Sequence, residues 1–498
     1  MNDSAYYHTD LDNPAEIDVG SIQQQGDYTL ALVRHFGNAD LTTLNRDGDA
    51  VFFNGLPGRV VAYDDVLALV LAGVATLLVL LILGFGLRRN QLKATGLVAR
   101  AVTMVAGTVL TTLVVALVWV GIRALNVDYQ AILVGSYQTR VIVVALTLLA
   151  FACMALLYAA LGARFRAIDL AAGAIVIWTL LAWLISVAAP GASYLIWPLL
   201  FGLLPLGASL STSRIVRSPW MRMAVLAVAA IPVFLLLPST AYVIVAILNR
   251  LELMCSLAGS PPLLGIWSLF VAPLASLLIL HMDFLSGGNT QKRWIAPALL
   301  MLAATGLIAW ANVTSGFNDE QPRFTHIAYE LNADSGTARW LTLDPELNSW
   351  TAQFFPAEQS QEPYEFSAGF ERDAIASSAP VADLAAPQAE VLNDMQNGTS
   401  RMVEIQLDSP RSGAILDVRI EGAGEIKAAE LDGREMDLSD YSLAGEGELR
   451  FSYVAIPDEG VTLVLEVVTL APFSLTLKET TLGLPALTWI VVSRGPRI

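Results

Sequence analysis

The stretch DDVLALVLAGVATLLVLLILGFGLRRNQLK, residues 64–93, decides the fold class of this chain. Residues 66–87 within it carry no charged side chain, and a run of about twenty apolar residues is the length that an α-helix needs to cross a bilayer. Arg88, Arg89 and Lys93 follow the run. The stretch therefore predicts a membrane-spanning helix that ends in a basic loop.

Seven further apolar runs follow this first one. The eight candidates lie within residues 63–311, at about 66–87, 101–122, 141–161, 170–189, 194–211, 223–248, 263–281 and 294–311. The composition agrees, because 55% of the chain is hydrophobic and only 15% is charged, which is unusual for a water-soluble domain. The predicted fold class is a multi-pass α-helical membrane protein of about eight spans, with the lipid bilayer as its main partner.

Basic residues mark alternate loops between these runs and so predict an orientation. They follow the first, third, fifth and seventh runs, and the positive-inside rule then places both termini outside the cytoplasm. The acidic residues gather in the two flanks, 1–62 and 312–498, so we expect no nucleic-acid partner. Cys153 and Cys255 offer no disulfide framework. These features favour a bacterial inner membrane with both termini in the periplasm; the alternative is a eukaryotic organelle membrane with both termini in the lumen.

The sixth run is the weakest of the eight. Pro232 and Pro238 interrupt it, and proline removes a hydrogen bond from a helix interior. Residues 239–257 are therefore open to a second interpretation, as an interfacial or re-entrant helix.

The C-terminal region, residues 312–498, predicts an extracytoplasmic antiparallel β-sandwich. Short alternating runs such as RMVEIQL (401–407), AILDVRI (414–420) and VTLVLEVVT (461–469) are separated by turn residues. Residues 356–398 are rich in Ala, Ser, Pro, Gln and Glu, which predicts a long, partly mobile insertion. His326 is expected to be structural, and the many acids form a solvated surface, because no EF-hand spacing occurs.

The N-terminal flank, residues 1–62, begins with the polar segment YYHTDLDNP at 6–14. A helix is predicted from near Ser21, in which Tyr28, Leu32 and Phe36 recur at a spacing of four, as expected for packing on a larger partner. Two strand-like pieces, AVFFN (50–54) and RVVAY (59–63), follow it. One helix and two short strands bury too little surface to be an independent domain.

This flank resembles the carboxyl end of a zinc-dependent exopeptidase family, metallopeptidase family twenty-eight, which includes aminopeptidases S and Y. The resemblance rests on YYHTDLDNPAEID (6–18), the amphipathic helix and the strand pair before a span. It is closest to the membrane-embedded branch, typified by the endoplasmic-reticulum metallopeptidase and the vacuolar membrane protease. It implies that 1–62 is the remnant of an α/β peptidase domain, and that His8, in the YHT motif, is the last ligand of a co-catalytic zinc pair.

The same resemblance implies that most of the metal site is missing from this chain. Two zinc ions need a bridging carboxylate, further ligands and a general base, which family members supply upstream of the YHT segment. Nearby Asp3, Asp10, Asp12 and Glu16 cannot preorganise two metals on one loop. We therefore expect no catalytic residue here and no zinc bound by this chain alone; a peptide substrate is expected only if a catalytic half is supplied.

The His-x-Asp pair His281 and Asp283 imitates a metal motif, but we interpret it as an interfacial pair at a helix end near Lys292 and Arg293.

Two alternatives to an inactive exopeptidase portion stay open. A multi-pass transporter is the second reading, since Gly- and Pro-broken spans such as WPLLFGLLPLG (197–207) can form substrate sites. A non-catalytic scaffold with an extracytoplasmic binding domain is the third.

Overall fold

The computed structural model describes most of the chain, in two compact units, Met1–Arg323 and Phe324–Ile498. The unit boundary lies close to residue 312, where the sequence predicts the outer domain to begin. The described residues are 13–15, 17–41, 50–56, 59–126, 137–214, 216, 218–256, 264–318, 321, 323, 325–344, 346–356, 358–367, 370–438, 447–468 and 471–485.

The first unit begins with α1 (Val19–Gly37) and an antiparallel hairpin of β1 (Ala50–Leu56) and β2 (Arg59–Asp64). The hairpin runs directly into α2 (Asp65–Arg88), the helix predicted by the opening stretch. Asp65 lies in the first turn of α2 and Arg88 in the last, so both charges complement the helix dipole. The polar ends and the uncharged interior together fix the length of this helix.

Eight more α-helices follow in the described part of this unit. They are α3 (Ala94–Leu125), α4 (Thr139–Leu161), α5 (Ala167–Ala188), α6 (Ile196–Leu210), α7 (Pro219–Ser256), α8 (Ser268–Ser276), α9 (Ile279–Ser286) and α10 (Ile295–Val313). A 3-10 helix, Pro190–Leu195, leads into α6, and another, Lys292–Trp294, leads into α10.

Seven helices among the described residues are long and apolar enough to cross a membrane, in close agreement with the predicted runs. The seventh predicted run, 263–281, is bent: it contains α8 and α9, which meet at an angle of 58°, and the described helices supply eight spans if this pair crosses as one. At this break the N–H groups of Leu277 and Leu278 donate to Leu274 and Ala275, three residues earlier. Such 3-10 bonds tighten the turn and redirect the axis, which hydropathy alone does not reveal.

The interruption expected in the sixth run is absent. α7 is one helix of 38 residues that continues through Pro232 and Pro238, so residues 239–256 extend it and do not form a separate helix. At 1.5 Å per residue α7 is about 57 Å long, nearly twice the thickness of a bilayer core.

Small residues let the helices of this unit approach closely. A side chain at Gly173 on α5 would lie 2.6 Å from the backbone of Arg100 on α3, and one at Gly265 would lie 2.6 Å from the Cα of Ala116. Ala72, Ala75 and other alanines are fully buried in the same apolar core. Close contact of backbones through small residues is typical of helix packing in membranes.

The second unit is built of antiparallel sheets. Its described strands are β3 (Ala328–Asn332), β4 (Thr337–Thr342), β5 (Ser360–Ser367), β6 (Phe370–Ala379), β7 (Gln388–Asn397), β8 (Ser400–Asp408), β9 (Ile415–Glu421), β10 (Glu425–Leu431), β11 (Arg434–Glu435), β12 (Leu449–Val454), β13 (Val461–Val468) and β14 (Ser474–Thr480). They form sheets of strand order β3-β4-β6-β5, β11-β10-β13-β8-β7 and β12-β9-β14.

One apolar cluster joins the five-stranded and three-stranded sheets. Leu463 and Leu465 of β13 share it with Leu416 and Val418 of β9 and with Phe451 of β12. Burial alternates strictly along β13, because successive side chains of a strand point to opposite faces. The predicted antiparallel strands are therefore present, with one face of each of these two sheets turned inward.

Residues 356–398, predicted as a long, partly mobile insertion, contain regular strands, and their mobility stays a prediction. They contain β5, β6 and β7, and each pairs with a neighbouring strand. Ala, Ser and Pro lower intrinsic strand propensity, but pairing with β4 and β8 supplies the backbone hydrogen bonds that this composition does not predict.

Candidate functional site

His8, the zinc ligand implied by the resemblance, lies outside the described residues. The same holds for Asp3, Asp10, Asp12 and Glu16, the nearby carboxylates. The described part of the N-terminal flank therefore begins after the motif, and its first substantial element is α1.

The start of α1 is fixed by a side-chain cap. Asp18 Oδ2 accepts a hydrogen bond from the backbone N–H of Ser21 at 2.8 Å and from its hydroxyl at 3.0 Å. These bonds favour the charged carboxylate and hold the pKa of Asp18 below its ordinary value. The cap places the first residue of the helix at Val19, slightly earlier than predicted.

The apolar stripe of α1 is uncovered. No residue of this helix is buried in the structure, and Ile22, Tyr28, Leu32 and Phe36 expose 55%, 56%, 56% and 43% of their surfaces. An amphipathic helix is normally stabilised by packing its apolar face on other residues. The described residues supply no such cover, and the predicted docking on a larger partner stays a prediction.

The β1–β2 hairpin, by contrast, is anchored on the helical block, which consists of helices α2 to α10 and the segments between them. Phe53 of β1 stacks on Tyr194 with ring centroids 5.2 Å apart, and the hydroxyls of Tyr63 and Ser193 are 2.9 Å apart. Val51 is buried, and burial raises the pKa of Tyr63. Sequence reasoning assigned this hairpin to a peptidase remnant and missed the contact. The feature of the sequence that could have indicated this contact is that the second strand runs directly into a membrane span after Tyr63.

The hairpin contact reaches a second helix through Tyr194. The Tyr194 hydroxyl lies 3.5 Å from Oγ1 of Thr240 on α7, and Ser193 is fully buried beside it. A chain of aromatic and hydroxyl contacts thus joins the hairpin, the 3-10 helix before α6 and the long helix α7.

Side-chain hydrogen bonds reach the break between α8 and α9. The carbonyl of Pro273 accepts a hydrogen bond from the indole N–H of Trp178 at 2.9 Å and one from the hydroxyl of Ser276. The indole N–H of Trp267 donates to Oγ1 of Thr147 at 2.7 Å. The backbone carbonyl of Pro273 is therefore satisfied by one side chain of α5 and by one of its own helix.

His281 and Asp283 on α9 turn to different partners. His281 Nε2 donates to the carbonyl of Leu226 on α7 at 2.9 Å, whereas Asp283 Oδ1 accepts from the Tyr158 hydroxyl at 2.8 Å. Arg293 lies 3.6 Å from the same carboxylate oxygen. The pair thus ties α9 to its neighbours near Arg293, where the sequence reading placed it. Nδ1 of His281 is buried and has no hydrogen-bond partner in the described structure.

His326 in the second unit has a structural environment. It lies just before β3; its backbone N–H donates to Asp344 Oδ1 at 3.1 Å, and its carbonyl accepts from the hydroxyl of Thr342. The ring Nδ1 accepts from the N–H of Leu343 at 3.4 Å. Burial lowers the pKa of His326, so the neutral ring is the form that this position favours.

Charges in the second unit are widely paired. Arg339 of β4 pairs with Glu330 of the neighbouring β3 at 3.1 Å and with Glu362 of β5. The hydroxyl of Ser360 joins Arg339 in holding the pKa of Glu362 below its ordinary value. Arg411 pairs at 2.8 Å with Glu479, whose side chain is only 1% exposed. The Arg339 pairs lie at the surface and the Arg411–Glu479 pair is largely buried, and in each the carboxylate already has a basic partner.

No group of three or more His, Cys, Asp or Glu side chains that could hold a metal occurs in the described ranges. Comparisons of the whole chain with protein-family models, with curated proteins and with solved structures find no match.

Proposed function

We propose that α2–α10 lie in a membrane as about eight spans, with both ends of the chain outside the cytoplasm. The support is the outer surface of these helices, where Leu80, Leu81 and Leu117 expose 64%, 61% and 70% of their area. An apolar surface of this extent is rare on soluble monomers, whereas lipid accommodates it. We favour a bacterial inner membrane, with a eukaryotic organelle membrane as the alternative.

The second unit is then an extracytoplasmic β-sandwich, formed by the two sheets that share one apolar cluster. A labelling experiment tests this topology. Ser335→Cys, in an exposed turn, should react in intact cells with a membrane-impermeant maleimide, and Asn90→Cys, after α2, should react only after lysis. The unsubstituted chain controls for Cys153 and Cys255. The reverse labelling pattern would refute the orientation.

We infer further that the chain is the C-terminal portion of a membrane-anchored zinc exopeptidase and carries no complete catalytic site itself. The observation that supports this best is the uncovered apolar stripe of α1, the helix that directly follows the segment resembling the YHT motif. A peptidase domain is the partner that the resemblance implies for that stripe.

An aminopeptidase assay tests this inference. The purified chain, supplied with zinc and an aminoacyl reporter substrate, should show no turnover above buffer. His8→Ala should leave expression and membrane insertion unchanged. Turnover by the purified chain that is lost in His8→Ala would show that the metal site is complete and that the chain is not merely a portion of the enzyme.

Transport is a second candidate function, and the broken pair α8–α9 favours it. Discontinuous helices commonly form substrate or ion sites in transporters, and Nδ1 of His281 is a buried, unpartnered titratable nitrogen close to the break. Proteoliposomes holding a pH-sensitive dye should then show a proton flux that His281→Gln reduces at least about tenfold. His35→Gln on exposed α1 is the matched control. Equal dye traces with and without protein would remove this candidate.

A further inference from the structure

A groove runs between α3 and α5 on the outside of the helical block. Six residues of α3, between Ala94 and Val105, and three of α5, between Val176 and Leu180, line it. All nine are apolar, so the groove offers no hydrogen-bonding group along its length. Its chemistry suits a hydrocarbon chain and excludes a polar ligand.

The groove is as long as one lipid leaflet is thick. The rise along α3 from Ala94 to Val105 is about 16 Å, and half of a bilayer core is about 15 Å. Val98, Val102 and Leu180 remain 68%, 62% and 63% exposed, so the groove opens away from the protein. A single acyl chain of one leaflet therefore fits its dimensions and its accessibility.

Positive charge is concentrated at one end of this groove. Lys93 directly precedes the first lining residue, Ala94, and is exposed. Arg166, whose side chain is 62% exposed, donates to the carbonyl of Gln91 in the same loop and pairs with Asp169 at 2.9 Å. Arg166 therefore stands beside the loop that ends at the groove.

A third base adds to this end of the groove. The guanidinium of Arg100 lies 3.4 Å from the centroid of the Phe165 ring, next to Arg166 in sequence. Lys93, Arg100 and Arg166 against the single acid Asp169 leave a net charge of +2. No carboxylate pairs with Lys93 or Arg100 within the part of the chain that the structure describes. An anionic headgroup complements this charge, and a zwitterionic one does not.

We propose that this groove binds one anionic phospholipid, with an acyl chain along α3 and α5 and the phosphate group near Lys93 and Arg166. The inference rests on the proposed location of α2–α10 in a membrane. It assigns to the helical block a lipid site that neither the exopeptidase nor the transport candidate requires.

Native mass spectrometry of the full chain tests the site after reconstitution in vesicles of equal parts phosphatidylglycerol and phosphatidylcholine. The wild-type chain should retain one phosphatidylglycerol in preference to phosphatidylcholine. Lys93→Gln should reduce this preference about fivefold, and adding Arg166→Gln in a double variant should reduce it about fivefold again, because each substitution removes one positive charge. Arg166→Lys should keep the preference, because the charge remains.

Two controls separate the site from general electrostatics and from lipid packing. The double variant Arg214→Gln with Lys292→Gln removes two exposed bases outside the loops that contain Lys93 and Arg166, and it should leave the lipid preference unchanged. Val102→Trp should fill the groove and reduce retention of both lipids. Insertion without headgroup preference, or a preference that persists in the Lys93 and Arg166 double variant, would overturn this inference alone. Failure to insert into the vesicles would overturn the membrane location as well.

Discussion

Leu81 on α2 and Leu463 on β13 are the same residue type in two units of one chain, yet Leu81 exposes 61% of its surface and Leu463 none. Along α2, small residues such as Ala68, Ala72 and Ala75 face inward. Along β13 the large branched residues face inward and the polar ones outward. The difference shows that apolarity alone does not define a core: much of α2 turns its alanines to the neighbouring helices and leaves leucines such as Leu81 exposed.

The two units also differ in how they satisfy polar groups. In the helical block, indole and hydroxyl donors such as Trp178 and Ser276 reach the backbone of a broken helix. In the β-rich unit, side-chain charges pair with one another across strands, as Arg339 does with Glu330. Water can replace a lost partner on the surface of the second unit but not in the interior of the first.

The largest expected effect comes from truncating a core leucine of the β-rich unit. Leu463→Ala leaves a cavity in the shared cluster and should lower the free energy of unfolding by about 3 kcal/mol. Hydrogen exchange of the β13 amides in the full chain measures it. Leu81→Ala on α2 is the control, with an expected change under about 0.5 kcal/mol. Similar losses in both variants would show that Leu81 is buried in the native protein.

Gly173→Ala tests whether close backbone contact holds the helical block together. The added methyl group would lie 2.6 Å from the Arg100 backbone, so α3 and α5 must separate. We expect a loss of about 2 kcal/mol, the range found for overpacked sites. Thermal stability in detergent measures it. Gly73→Ala on α2 is the matched control, because a Cβ there meets nothing within 4 Å. An unchanged melting temperature for Gly173→Ala would argue against the crossing.

Trp178→Phe tests the side-chain support of the broken helix. It removes the indole N–H that donates to the carbonyl of Pro273 and keeps most of the ring volume. The expected loss is about 1 kcal/mol, with faster hydrogen exchange at Leu277 and Leu278. Trp183→Phe, whose indole bonds Oγ1 of Thr76 near the protein surface, should not change exchange at the break. A break that exchanges equally in both variants would remove this role for Trp178.

Much of the helical block could be predicted because its signal is local. An uncharged run of about twenty residues specifies a helix whatever surrounds it, and α2, α4, α5, α6 and α10 follow the predicted ranges within a few residues, whereas α3 begins seven residues before its predicted run. The break after Ser276 lies inside an apolar run, and a side-chain bond to it comes from Trp178, which is distant in sequence, so hydropathy did not indicate it. α7 also continues through Pro232, although proline within a helical run usually indicates an interruption.

In the N-terminal flank, residues 1–62, a helix could be predicted but its contacts with the rest of the chain could not. Tyr28, Leu32 and Phe36 predicted the stripe of α1 correctly, because helical periodicity needs only nearby residues. The hairpin contact between Phe53 and Tyr194 spans most of the helical block in sequence, so no pattern within residues 50–63 reveals it. His8 lies outside the described residues, and the zinc-ligand role that the resemblance implies for it would depend on further ligands that no local pattern supplies.

The smallest expected effect concerns protonation of His326, a largely buried ring in the β-rich unit. Burial lowers its pKa in the folded state below the value of 6.5 expected for the unfolded chain. Below pH 6.5 the unfolded state therefore binds more protons, so the stability of the second unit should be complete above pH 6.5 and fall as the pH drops towards the folded pKa. Hydrogen exchange of β3 and β4 between pH 7.5 and 5.5, corrected for the intrinsic rate, measures the slope. His326→Gln should flatten it, whereas His35→Gln on exposed α1 should not. A slope that persists unchanged in His326→Gln would assign the pH dependence to another group and would argue against a lowered pKa of this imidazole, whose Nδ1 accepts from Leu343.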